Sequence, residues 1–299
     1  MKKIAGLILL LTIILFAGCS GPAELKPAYA PEPSVAQQVG LTQSVPDVVI
    51  FAVSGRCGVP CDGAPDDNYE YLSGRGTTKA VARAFSKLGY SVRVLTYSSH
   101  LYNHKSSLSG KWERGFLQLE ADFNWVRRHW PKARRVLLGH SHGTNWTHNL
   151  LRAHPRWTVD YLIDLDGICT LWEKDNKDDF TDFYRRYGNP WPVDISKSCD
   201  VERIKKHRWW TSKYSAKDVA YAGAVYNLEV QSARLLASEV GAEGNTSLVF
   251  DYTDNLRLDA SRKNIWTFVS KKEDHSGVTE PDSKALEWVS ARIAKLGLP

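Results

Sequence analysis

The stretch Arg134-Arg135-Val136-Leu137-Leu138-Gly139-His140-Ser141-His142-Gly143-Thr144 constrains the fold of this chain more than any other. The apolar run Val136 to Leu138 has the character of a buried strand, and residues 145–154 have the character of a helix. Between them stands Gly-x-Ser-x-Gly, so the chain must turn sharply from strand to helix. A residue at the tip of such a turn is forced into a strained backbone conformation. Its neighbours two before and two after must be small, because strand and helix crowd them. Gly139 and Gly143 meet that demand and leave Ser141 at the tip with its hydroxyl exposed.

The chain after about Pro46 continues to alternate. Val48 to Val53 is a dense β-branched and aromatic run, as expected of a strand buried on both faces. Ser54-Gly55-Arg56-Cys57-Gly58 follows it, and residues 62–74 are polar and turn-rich. Residues 77–88 have helical spacing through Val81, Phe85 and Leu88, with Gly89 as the stop. Residues 91–97 read as a strand. Residues 112–130 form a second helical pattern, with Phe116, Leu119, Phe123 and Val126 on one stripe and Pro131 at its end. Residues 159–167 are the next strand and its exit, residues 225–230, 247–250 and 264–269 are further strand candidates, and a closing helix runs from about Ser283 to Lys295. Strands alternating with helices predict a mostly parallel sheet with helices on both faces. The serine turn would then lie at the carboxyl ends of the strands. Residues 168–222 break the pattern and are rich in aromatic and charged residues.

A serine hydroxyl is a poor nucleophile at neutral pH and needs a base to take its proton and a carboxylate to orient the base. His275 lies in a loop between the last strand and the last helix. On the strand, Gly-x-Ser-x-Gly turn and helix around Ser141, together with His275, the sequence resembles the α/β-hydrolase superfamily on its lipase and esterase side. The resemblance implies one α/β-hydrolase domain over residues 46–299, with residues 168–222 as a cap or lid insertion; a self-packed subdomain is the other reading of that segment. It implies a chain order of nucleophile, acid, histidine, and hence Ser141 as nucleophile and His275 as base. For the acid, Leu165-Asp166-Gly167 resembles the Leu-Asp-Pro exit of pancreatic-type lipases and points to Asp166. Placement one strand later would point to Asp251, Asp254 or Glu229. Asp164 faces the opposite side of its strand and reads as structural. The oxyanion would be received by the backbone N–H of His142 and that of Arg56, with Gly55 as the alternative; Ser54-Gly55 stands where the superfamily usually carries His-Gly. The side chains of His140 and His142 would project away from the nucleophile, and a metal site on this His-x-His pair lacks a third ligand. No metal or organic cofactor is implied. A carboxylic ester, small or lipid, is the expected substrate. A thioesterase or amidase would share the triad, and a non-catalytic envelope lipoprotein on the same fold is the alternative of another class.

The N-terminus carries a separate message. Met1-Lys2-Lys3 precedes an apolar run of about 14 residues, Ile4 to Ala17, too short to span a bilayer comfortably and suited to a secretory signal. Leu15-Phe16-Ala17-Gly18-Cys19 resembles a bacterial lipoprotein lipobox, which implies removal of residues 1–18 and lipidation of Cys19; an ordinary secretory signal is the alternative. Residues 19–45, rich in Pro, Ala, Gln and Ser, would be a flexible tether between lipid and domain. Ser20 directly after the cysteine favours an outer-membrane or cell-surface address. In an oxidising compartment the remaining Cys57, Cys61, Cys169 and Cys199 are expected to pair as Cys57–Cys61 and Cys169–Cys199, each close in sequence, with zinc binding as the alternative. Loss of Lys2 and Lys3 would leave 37 basic against 33 acidic residues. That mild excess is spread along the chain, and Lys205-Lys206-His207-Arg208 reads as a solvated face rather than a nucleic-acid site.

Overall fold

The computed structural model describes residues 44–55, 71–105, 112–207, 209–233 and 253–299. The expected signal peptide, Cys19, most of the tether, Arg56, Cys57, Cys61, Asp251 and the strand candidate at 247–250 all lie outside them. In chain order the strands are β1 (Val48–Val53), β2 (Val92–Tyr97), β3 (His104–Lys105), β4 (Trp112–Glu113), β5 (Arg134–His140), β6 (Val159–Leu165), β7 (Glu202–His207), β8 (Trp210–Tyr214), β9 (Ala224–Gln231) and β10 (Ile265–Val269). The helices are α1 (Tyr71–Gly74), α2 (Thr77–Ser86), α3 (Phe116–His129), α4 (Gly143–Ala153), α5 (Trp172–Asp175), α6 (Lys177–Tyr187) and α7 (Lys284–Leu296).

Six strands form one sheet in the order β10-β9-β6-β5-β1-β2, and every neighbouring pair is parallel. Such a sheet must be covered on both faces, and the two-residue period of β1 shows how. Val49, Phe51 and Val53 pack with Phe123, Val126, Trp146 and Leu150 from α3 and α4. Val48, Ile50 and Ala52 pack on the other face with Val81, Phe85, Leu286, Val289 and Ile293 from α2 and α7. The closing helix is capped by Ser283, whose hydroxyl accepts from the Leu286 amide at 3.1 Å. Sheet order, layers and the sharp turn after β5 make this the α/β-hydrolase fold.

The helical pattern at 112–130 shortens on folding. Trp112 and Glu113 pair with β3 as a small hairpin, and α3 begins only at Phe116. The break is steric. A Cβ on Gly115 would stand 2.3 Å from the Tyr102 carbonyl oxygen, so the helix starts where the chain comes against that loop.

Residues 168–222 hold α5, α6, the antiparallel β7–β8 hairpin and a short 3-10 turn, Ala216–Asp218. A Cys169–Cys199 disulfide closes the first part. Most of the segment's aromatic side chains turn inward: Trp172, Phe180, Phe183, Trp191 and Tyr214 are buried and continue the core on the α3–α4 side of the sheet. Trp172 meets Trp146 edge-on at 4.8 Å, and Phe183 stacks on Trp191 at 5.3 Å. Among the described residues no helix is long and apolar enough to cross a membrane.

Candidate active site

Ser141 sits between β5 and α4 with φ of 56°, the left-handed region that costs a non-glycine residue on the order of 1–2 kcal/mol. Its surroundings hold it there. The Ser141 amide donates to the Leu165 carbonyl at 3.1 Å, and its carbonyl accepts from Thr144 Oγ1 at 2.6 Å and from the Ile168 amide at 3.3 Å. A Cβ on Gly143 would stand 2.2 Å from the Val53 carbonyl oxygen, so only glycine lets α4 begin so close to β1. Gly55 is tighter still in its consequence: a Cβ there would be 2.4 Å from Ser141 Cβ and 3.0 Å from its Oγ. The loop leaving β1 therefore runs directly against the serine.

Asp166 follows the last residue of β6 and is itself left-handed, with φ of 50°. Its amide donates to the Val230 carbonyl at 2.8 Å, which ties the exit of β6 to the end of β9. One carboxylate oxygen accepts from the Ser232 amide at 2.7 Å and the other from His275 Nδ1 at 2.7 Å. Burial raises the pKa of this carboxyl, but the His275 bond and the Ser232 amide outweigh it and hold the group below its ordinary value. An ionised Asp166 keeps the His275 proton on Nδ1 and makes Nε2 the basic nitrogen.

His275 is braced from behind. His140 Nε2 donates to the His275 carbonyl at 3.1 Å, and the two rings lie 4.5 Å apart. Tyr71 stacks on the His140 ring at 5.2 Å, and its hydroxyl meets Ser276 Oγ at 3.2 Å. Burial, and then the neighbouring His275, push the His140 pKa down to about 3, so this ring is neutral. His142 points into the insertion: Nε2 donates to the Thr170 carbonyl at 2.6 Å, and Nδ1 lies 3.7 Å from the Asp175 carboxylate. Its backbone stands at the N-terminal cap of α4.

Among the described residues, the other candidate acids have partners of their own. Asp254 binds Arg262 at 2.9 Å and Gln231 at 3.2 Å. Glu229 is buried against Gln231, Thr267 and the Asn255 amide, and burial raises its pKa to about 7. Asp164 accepts from His148 Nε2 at 3.0 Å and from Asn227 and Asn255. A cavity of about 10 Å³, room for about one water, lies among Thr144, Asp166, Lys217, Glu229 and Asn255. A second cavity of about 480 Å³, lined by Ala224, Val225, Arg257 and Asn264 among others, lies at the amino end of β9, the opposite end from Ser141. The small polar cavity borders Asp166, whereas the larger hollow lies away from Ser141, Asp166 and His275.

Sequence reasoning brought Ser141, His275 and Asp166 to the carboxyl end of the sheet, where the structure joins His275 to Asp166. It missed Ser232 and Tyr71, which carry no motif. It expected the His140 side chain to project away from Ser141 and did not foresee that the ring lies against His275. Among the described residues no cluster of three or more His, Cys, Asp or Glu side chains is arranged to hold a metal ion.

No protein-family model matches the chain, and no curated protein is significantly similar to it. Among solved structures it is similar to XC6422 from Xanthomonas campestris, described as an a/b serine hydrolase without lid, at 12% identity and a TM-score of 0.41 over 90% of this chain and 87% of that one. It is similar to Est1E from Butyrivibrio proteoclasticus, seen with ferulic acid bound, at 14% identity and a TM-score of 0.38 over 83% of this chain and 87% of that one. The esterase domain of a Rhodothermus marinus protein is similar at 12% identity and a TM-score of 0.41 over 85% and 89% of the respective chains. These likenesses are loose, with TM-scores of 0.38 to 0.41.

Proposed function

We propose that this protein is a serine hydrolase that cleaves carboxylic esters. The observation that carries this reading is the 2.7 Å bond between His275 Nδ1 and Asp166, which directly follows Leu165, whose carbonyl accepts from the amide of Ser141 at its strained strand-to-helix tip. Ser141 attacks the acyl carbon while His275 Nε2 takes the hydroxyl proton, and the alkoxide leaves with that proton. The oxyanion is received by the N–H of His142 and a second amide from the loop after β1, that of Arg56 or of Gly55; one such donor is worth about 3 kcal/mol. Water activated by His275 then releases the acid. Asp166 stays ionised throughout and orients the imidazole. The same residues would serve a thioesterase or an amidase, and rates on matched oxygen esters, thioesters and amides separate the three.

The test is covalent labelling of the full chain with a fluorophosphonate, read by mass spectrometry. One adduct per chain is expected on Ser141, absent in Ser141→Ala. Asp166→Asn should lower kcat about 10³- to 10⁴-fold, and Asp254→Asn should stay close to wild type. A folded chain that takes no label would return the protein to the non-catalytic lipoprotein reading. We infer from the lipobox resemblance that Cys19 carries the anchor and places the enzyme at the bacterial envelope, outer membrane or cell surface. An acylated mature N-terminus beginning at Cys19 is the mass-spectrometric result that supports this, and an unmodified one removes it.

A further inference from the structure

We propose that the β7–β8 hairpin is a docking surface for an anionic phospholipid bilayer. Its register separates two unlike sides. Glu202 lies opposite Tyr214, Arg203 opposite Lys213, Ile204 opposite Ser212 and Lys205 opposite Thr211. Directly opposed residues share a face of a ribbon. Ile204 and Tyr214 are buried and fix one face to the core. Arg203, Lys205 and Lys213 stand together on the other face, all of them exposed.

Among the described residues this cationic face is uncompensated. Arg203 and Lys213 are direct cross-strand partners, and like charges so placed destabilise a sheet. Among the described residues none of the three cations forms an ion pair with a carboxylate. Of the acids at the hairpin's base, Glu202 is taken by Arg152 at 2.9 Å and by the Tyr221 hydroxyl at 3.0 Å, while Asp200 is exposed where the chain enters β7. At the turn, Trp209 is 81% exposed. A ribbon that tolerates opposed cations and presents an indole to solvent suits a surface that is negative outside and apolar a few ångströms in. Such a surface is the headgroup region of an anionic bilayer, where tryptophan and basic residues both gain. The expected lipid anchor would keep the domain beside such a surface. This inference does not depend on the hydrolase reading.

Partitioning of the full-length protein is to be measured on vesicles of phosphatidylcholine alone and of phosphatidylcholine mixed with phosphatidylglycerol. The N-terminal segment is common to all variants, so the readout is the preference for anionic over neutral vesicles. The triple variant Arg203→Ser, Lys205→Ser, Lys213→Ser should lose about tenfold to 100-fold of that preference, and added salt should erode the wild-type preference in the same way. Trp209→Ser should weaken binding to the mixed vesicles about threefold. The triple variant removes like-charge repulsion, so its thermal midpoint should equal or exceed wild type, which separates lost binding from lost folding. An undiminished anionic preference in a folded triple variant overturns the proposal. So does binding of a single-stranded oligonucleotide with the same residue dependence when the vesicles show none, which would assign the face to a soluble polyanion.

Discussion

The strain at Ser141 is held by what its glycine neighbours leave out. Where the loop after β1 passes Ser141, the missing side chain of Gly55 is the space in which the Ser141 side chain stands. Gly55→Ala should therefore leave a folded protein whose serine is displaced, with kcat/KM lower by about 100-fold, since displacements near 1 Å cost that much. Gly143→Ala addresses a different need. Its new methyl would meet the Val53 backbone, which cannot swing aside, so the loss should appear in stability, about 3 kcal/mol in a denaturant titration. If Gly55→Ala instead proves fully active, the loop does not constrain the nucleophile as described.

At the scale of elements, the first turn of the insertion is stitched to the elbow, the sharp β5–α4 turn that carries Ser141. The Ile168 amide reaches the Ser141 carbonyl, Asn145 Nδ2 donates to the Ile168 carbonyl at 2.5 Å, and His142 donates to Thr170. Cys169 lies inside this seam, and its bond to Cys199 spans a sequence separation of 30 residues. In the chain-entropy picture a loop of that size is worth about 3 kcal/mol or slightly more. Cys169→Ser with Cys199→Ser should lose about that much stability by urea denaturation, while still taking the fluorophosphonate label at 25 °C because the hydrogen bonds to the elbow remain. Loss of labelling in a folded double variant would show that the disulfide, and not those bonds, positions the elbow.

The whole molecule carries titratable groups whose pKa shifts oppose one another across the pH scale. His140 has a folded pKa of about 3 against an ordinary 6.5, so the unfolded chain binds its proton first, and stability is lost as pH falls from about 6.5 towards 3. Asp166, held below 3.8, acts in the same direction further into acid. Glu229 runs the other way. Burial raises it from 4.5 to about 7, so the folded protein keeps this proton, and stability is lost as pH rises through that interval. Glu229→Gln should remove much of that loss, gaining on the order of 2 kcal/mol relative to wild type between pH 4.5 and pH 8. Urea midpoints of both proteins across that range decide it; a pH-independent difference would show that Glu229 ionisation is not linked to folding.

What the chain announced in one dimension was what short-range sterics and periodicity control. Glycines two residues either side of a serine, after an apolar run and before a helix, specify the elbow because the crowding is local. The position of His275 before the closing helix follows from the same alternation. Trp112 shows the limit, since its helical spacing lost to a pairing with residues 104–105 that spacing cannot encode. The surroundings of Asp166, Asp254 and Glu229 are of that second kind, and Asp251 lies outside the described residues. They depend on β9 lying beside β6, which brings the Ser232 amide and the Val230 carbonyl onto Asp166, while Arg262 binds Asp254. The cationic side of β7–β8 likewise exists only once Arg203 is set opposite Lys213. Each of these is a pairing between distant segments, and it is settled by packing energy that no local run of residues contains.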